Sequence, residues 1–265
     1  MSDTPVGVAV EQVAVQRADS VKGYVIWARD VVARAFAESR GRSKATGTIS
    51  IQELKVEKGA ILGIAGGLDA AMGTFFQLLA GSVRPDAGEI FLSGRRPTRG
   101  RRDVGLASYR FALYDELTVG ENLALLDKLA SEAGAGKTHI SKILEALDIG
   151  GLTNTKYRDL SEPDRRLVLL AQAVLKAPTL VLVENMLTGL DMLECARVVG
   201  ILSRMIGNGQ DVTYVIGTSL YDEGLFALFT DIALIEQGRV TKAKHLAEQS
   251  PSVIRQSIVE RLSAR

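Results

Sequence analysis

The chain has 265 residues, 46% of them hydrophobic, which is enough to bury the core of one or two domains. Lys and Arg number 32 against 31 Asp and Glu, and this net charge of +1 gives no general reason to expect a nucleic-acid partner. A single cysteine, Cys195, excludes an internal disulfide and a cysteine-based metal cluster, and His139 and His245 alone make a histidine metal site a poor expectation.

Residues 1–22 carry mostly alternating valines (Val6, Val8, Val10, Val13, Val15) that suit an accessory edge strand. This segment lacks the basic start and continuous apolar core of a signal peptide. No later run reaches the ~20 apolar residues of a membrane span, so membrane association is expected only through a partner. YVIWARDVVARAF, from Tyr24, reads as a strand, AESRGRSKATG as a polar connector, and TISIQELKV as the next strand. VEKGAILGI then leads as a buried strand into LGIAGGLDAAMGTFFQLLAG, Leu62 to Gly81, a glycine-rich turn that opens a helix. Turns of this kind hold phosphates because successive backbone N–H groups point inward and glycines let the main chain approach.

Further on, GRRPTRGRRD (Gly94 to Asp103) is locally basic and reads as a solvated hairpin between two strands rather than a site for acidic lipid headgroups. ENLALLDKLASEA and HISKILEALDIGGL have helical spacing. Between them GAGKT, Gly134 to Thr138, imitates a phosphate loop, yet Ser131 stands where its first glycine is needed and no apolar strand precedes it. It reads as an inter-helix loop with Thr138 as an N-cap. After Arg165, helical RRLVLLAQAVLKA, apolar TLVLVE, helical LECARVVGILSRMI and apolar DVTYVIGTS alternate, predicting a mostly parallel sheet covered on both faces. In the tail, Val253, Ile254, Ile258 and Leu262 share one side of a helix.

Four segments fix a resemblance: VRPDAGEIFLSGR, LYDELTVGENLALL, the unbroken run LSEPDRRLVLLAQAVLKAPTLVLVENMLTGLD, and DIALIEQGRVT. In order and spacing, from about Val25 to Lys242, the chain resembles the ATP-binding, or nucleotide-binding, domains of ABC transporters. The resemblance implies an α/β fold of the RecA-like P-loop NTPase type: a mostly parallel sheet flanked by helices, with an antiparallel β edge. It divides the chain into an extension at 1–22, a core domain at 23–245 with a helical subdomain at about 110–164, and a C-terminal helix at 246–265.

The family's site positions carry over residue by residue. Gly63 and Gly66 fall on the first glycines of the Walker A loop, Asp69 and Ala71 on its last two, Met72 on the lysine and Gly73 on the magnesium-binding hydroxyl, leaving Thr74. Tyr109 falls on the Q-loop glutamine, and Ser161, Glu162, Pro163 and Asp164 follow Leu160 in the signature. Glu184 keeps an acid in Walker B, Asn185 replaces the polarising glutamate, Ser219 stands at the histidine, and Gly189, Leu190 and Asp191 match the D-loop. Phe36 lies near the adenine-stacking aromatic but reads as core. A thioether carries no charge, an amide is a poor general base, and proline lacks an N–H. These replacements set the expectation of a degenerate, catalytically dead subunit, not an enzyme and without cofactor or metal.

Such a subunit is expected to serve as a structural or regulatory component of an exporter-like complex, peripheral on the cytoplasmic face of the membrane. Its partners would be a permease and an ATPase-competent ABC subunit, with a homodimer possible, and Tyr109, Phe111 and Tyr114 would make the permease contact. An unorthodox active ATPase and a soluble adaptor are the alternatives.

Overall fold

The computed structural model describes residues 23–39, 42–67, 70–109, 113–130, 137–208 and 211–242, with scattered positions from 250 to 260. Asp69, Phe111, Gly134, the extension at 1–22 and nearly all of the expected C-terminal helix lie outside these residues, as does the side chain of Phe36.

Strands β1 (Tyr24–Ser39) and β2 (Arg42–Glu57) pair antiparallel over almost their whole length. The segment expected as a polar connector is therefore largely ladder, with Glu38 opposite Ser43 and Ser39 opposite Arg42. Ladder bonds are made by the backbone, and a polar side chain does not prevent them. Then come β3 (Ile61–Gly66), helix α1 (Ala70–Leu79), β4 (Ala87–Leu92) and β5 (Val104–Ser108). Helices α2 (Val119–Ala130) and α3 (Lys137–Ala146) follow, with two short 3-10 turns before α4 (Glu162–Val174). Strand β6 (Leu180–Glu184), α5 (Met192–Asn208), β7 (Thr213–Thr218), α6 (Glu223–Phe226), β8 (Asp231–Glu236) and β9 (Arg239–Lys242) complete the order.

The strands form one sheet in the order β4-β1-β2-β9-β8-β3-β7-β6-β5. From β8 to β5 every neighbour is parallel, and antiparallel pairing is confined to the β4-β1-β2 edge and the β8-β9 pair. Every residue of β6 and of β7 is buried, which is the pattern of strands covered on both faces. On one face α1 packs Phe75 and Phe76 edge to face, their centroids 5.6 Å apart, with the inner residues of β1 and β2. On the other, α4 and α5 bury Leu167, Leu170, Val198 and Leu202 together with apolar residues of α2 and α3. Among the described residues no helix is long and apolar enough to cross a membrane.

Candidate functional site

Four parallel strands end on one edge of the sheet and bring polar residues together there. Register sets Ser108 of β5 beside Glu184 of β6, Glu184 beside Gly217 of β7, and Thr218 beside Ala65 of β3. In open α/β sheets the crevice outside the carboxyl ends of the strands is where ligands bind. Glu184 is 2% exposed and accepts a 2.6 Å hydrogen bond from Ser108 Oγ. Asn185, next to it, is buried in the left-handed region with φ 48°, which asparagine tolerates, and its N–H donates to Gly217 O at 3.0 Å. Thr218 closes the end of β7, its Oγ1 donating to Leu220 O at 2.8 Å and accepting from Leu220 N at 3.0 Å, so that Ser219 sits half-buried at the tip.

Met72, expected from the resemblance at the lysine position, has no solvent exposure. A Cβ built on Gly217 would lie 3.0 Å from its Sδ, and one on Gly66 would lie 3.4 Å from its Cε, so the thioether fills the space between β3 and β7. Ala71, Gly73 and Thr74 are buried beside it, and Thr74 Oγ1 donates to Gly47 O at 3.4 Å. Gly63 stands in the middle of β3 rather than in a loop. A Cβ there would meet the Phe229 ring at 2.2 Å, so this glycine lets an aromatic side chain lie on the strand.

The segment Ser161 to Asp164 is the start of α4. Ser161 is its N-cap, its Oγ accepting from Asp164 N at 3.3 Å, and buried Pro163 occupies the first turn, where an N–H has no helical partner to lose. The two carboxylates are matched by arginines: Glu162 pairs with Arg165 at 3.6 Å and Arg166 at 3.3 Å, and Asp164 pairs with Arg197 of α5 at 2.8 Å. The acidic charge at the start of α4 is thus matched by partners on α4 and α5.

Tyr109, 38% exposed just past β5, lies against Arg166, whose guanidinium carbon is 5.5 Å from the ring centroid. Arg166 also donates to Thr188 O at 3.4 Å, so one side chain touches Tyr109, Glu162 and the residue before Gly189. Tyr114 is 62% exposed on a turn held by buried Asn122, whose side chain accepts from Tyr114 N at 2.8 Å and donates to Tyr114 O at 3.0 Å. Thr118 and Glu121 cap α2 reciprocally, at 2.8 and 3.2 Å. Asp191 and Glu194 do the same for α5, both at 2.9 Å, making Asp191 an N-cap; Gly189 takes φ 82° and Leu190 is half-buried behind it. Beyond the cap, Met192 and Leu193 are 82% and 76% exposed.

Sequence reasoning missed Ser108, Arg166 and Asn122. Only Asn122 had a local signal, the T-x-x-E capping box that ends beside it; the other two act on partners far along the chain.

An α/β sheet with polar residues gathered at the ends of its parallel strands is an arrangement shared by ligand-binding α/β proteins, nucleotide-binding ones among them. The ABC transporter family model matches residues 50–187, more than half of the chain, and the chain belongs to that family. It is 26% identical over 201 residues to a probable sulfate/thiosulfate import ATP-binding protein of Chlorella vulgaris, covering 74% of this chain and 84% of that protein. A methionine import ATP-binding protein of Mesorhizobium japonicum is 30% identical, covering 81% of this chain and 60% of the relative. A spermidine/putrescine import ATP-binding protein of Thermobifida fusca is 28% identical, and the chain spans half of its length. Among solved structures, a nucleotide-free ATP-binding cassette from an ABC transporter superposes with a TM-score of 0.71 at 15% identity, covering 89% of this chain and 98% of that one. CbiO1 of Clostridium perfringens superposes with a TM-score of 0.67 at 15% identity, covering 91% and 94%.

These findings correct the expectation that the chain is not an enzyme: relatives aligned over seven-tenths or more of it are named ATP-binding proteins of import systems. The physical reason is that counting lost side chains weighs single groups. The strand-to-helix frame and the buried acid at the end of β6, parts of the architecture the family shares, are both present.

Proposed function

We propose that the chain is the ATP-binding-cassette subunit of a membrane transport complex, held on the cytoplasmic face of the membrane by a permease and paired with a second ABC subunit. In this pair its role is structural and regulatory as well as that of a cassette. The exposed apolar side chains carry this reading. Tyr109 and Tyr114 flank the start of the helical region at about 110–164, and Met192 and Leu193 follow the D-loop. Large side chains left exposed beside these turns are available to a partner, and tyrosine suits a half-exposed contact.

The test is copurification from solubilised membranes. The tagged chain is expected to bring down a permease and a second ABC protein, and Tyr109→Ala with Tyr114→Ala is expected to release the permease while leaving the melting temperature within a few degrees of the parent. Retention of the permease by that variant, or its loss only through unfolding, would remove the contact surface from the proposal.

A further inference from the structure

We propose that the chain carries a second ligand site, at the opposite end of β5 from Ser108, that takes a small amphipathic anion: a phosphate or carboxylate head on an apolar body. A cavity of about 360 Å³ opens between the turn after α1, the loop joining β4 to β5, and the C-terminal end of α4. That volume falls within the roughly 300–1,000 Å³ of small-molecule sites. Its walls are apolar, with Val104, Leu126 and Leu175 among them, and its polar rim includes Ser82, Arg99 and Lys176. Three cations and no carboxylate line it. Arg99 and Lys176 are exposed, and the Arg99 Nε bond to Ser82 Oγ is long at 3.4 Å, so both cations can turn to a ligand.

The loop that carries Arg99 is built rather than loose. Arg101, its side chain only 9% exposed, donates to Leu92 O at 2.9 Å, Arg95 O at 3.2 Å and Asp103 Oδ1 at 2.9 Å, so the loop winds around one guanidinium. An adjoining concavity shares Thr98 and Arg101 with the cavity and adds Arg95, Arg96 and Arg102, while its one carboxylate, Asp103, is already bound by Arg101. A concave surface lined by one sign of charge concentrates the opposite ion. On the α4 side the wall is firm, because a Cβ on Gly105 would lie 2.0 Å from Ala173 O.

Four steps along the extended strand, roughly 13 Å, separate Val104 from Ser108, so the cavity is distinct from the strand-end crevice. A cleft with apolar walls and cations at its rim fits a single molecule with a head and a body better than the flat face of a bilayer.

The test titrates n-octyl phosphate into the full chain by calorimetry, with inorganic phosphate and n-octanol as separate arms. Saturable one-site binding of octyl phosphate is expected, at least about tenfold tighter than either control, since head and body each contribute. Arg99→Ala with Lys176→Ala is expected to weaken it by about tenfold or more at unchanged melting temperature, and Lys176→Glu alone should weaken it in the same direction. Absence of saturation, equal affinity for inorganic phosphate or for octanol, or indifference to both variants would overturn the site. Phosphatidylglycerol vesicles form the last arm. Cosedimentation that depends on Arg99 and Lys176, without saturable octyl phosphate binding, would also overturn it and assign these cations to a membrane surface.

Discussion

Met72 lies between two strand glycines and fills the gap that Gly66 and Gly217 leave, wholly out of solvent. Its apolar character made a packing role legible from the sequence. The extent of that role was not, because Gly217, which leaves the room, is distant in the chain. Truncation by Met72→Ala should cost about 2–5 kcal/mol in urea unfolding, the range for a large side chain removed from a tight core. Met72→Lys should also lower stability, because the ammonium would be desolvated among apolar groups, so restoring the family's residue is not a repair by itself. A midpoint for Met72→Lys equal to the parent's would show that the position opens to water. Gly63 shows the converse limit. It reads as a loop glycine by alignment with the family, yet it is a strand residue kept small by Phe229, a partner 166 positions away that no local pattern reveals. Gly63→Ala should destabilise by about 1–3 kcal/mol through overpacking, seen as a lower urea midpoint.

At the scale of elements, the beginning of α4 and the β4–β5 loop are both rich in charge, and in both the structure supplies partners. Ser161 followed by an acidic turn is a helix-start signal that the sequence displays openly. The pairing of Asp164 with Arg197 was not legible, since it depends on α5 returning alongside α4. Ser161→Ala should cost about 0.5–2 kcal/mol, the usual value of a lost N-cap, measurable by thermal unfolding. In the loop, the guanidinium of Arg101 hydrogen-bonds Asp103 and holds its carboxyl below the usual aspartate range. A depressed folded-state pKa means the contribution is fully present above the ordinary aspartate pKa and is lost as pH falls through the lower folded value. Asp103→Asn should therefore lower the melting temperature at neutral pH and flatten its decline on acidification, and curves for parent and variant should converge at the acid end. Parallel curves across the whole acid range would mean the pair contributes nothing pH-dependent.

Across the whole molecule, the alternation of apolar runs and helical patterns made the parallel half of the sheet legible, because fully buried strands such as LVLVE have a pattern of their own. The length of the β1–β2 hairpin was not, since its polar stretch resembles a connector and only backbone pairing makes it strand. What the fold leaves uncovered bears on assembly. Met192 and Leu193 stand 82% and 76% exposed at the start of α5, immediately after the Gly189, Leu190 and Asp191 turn, and the reciprocal Asp191–Glu194 cap fixes the direction in which they project. Burying two such side chains is worth about 1.5–3 kcal/mol each, so their loss from an interface weakens it by about a hundredfold or more. Met192→Asp with Leu193→Asp should therefore abolish copurification of the second ABC subunit and leave the permease bound. Because both side chains already face water, and carboxylates are favourable in the first turn of a helix, the melting temperature of the isolated chain should not fall. Retention of the second subunit by this variant would place the pairing surface elsewhere, whereas loss of the permease along with it would mean the two partners bind as one unit.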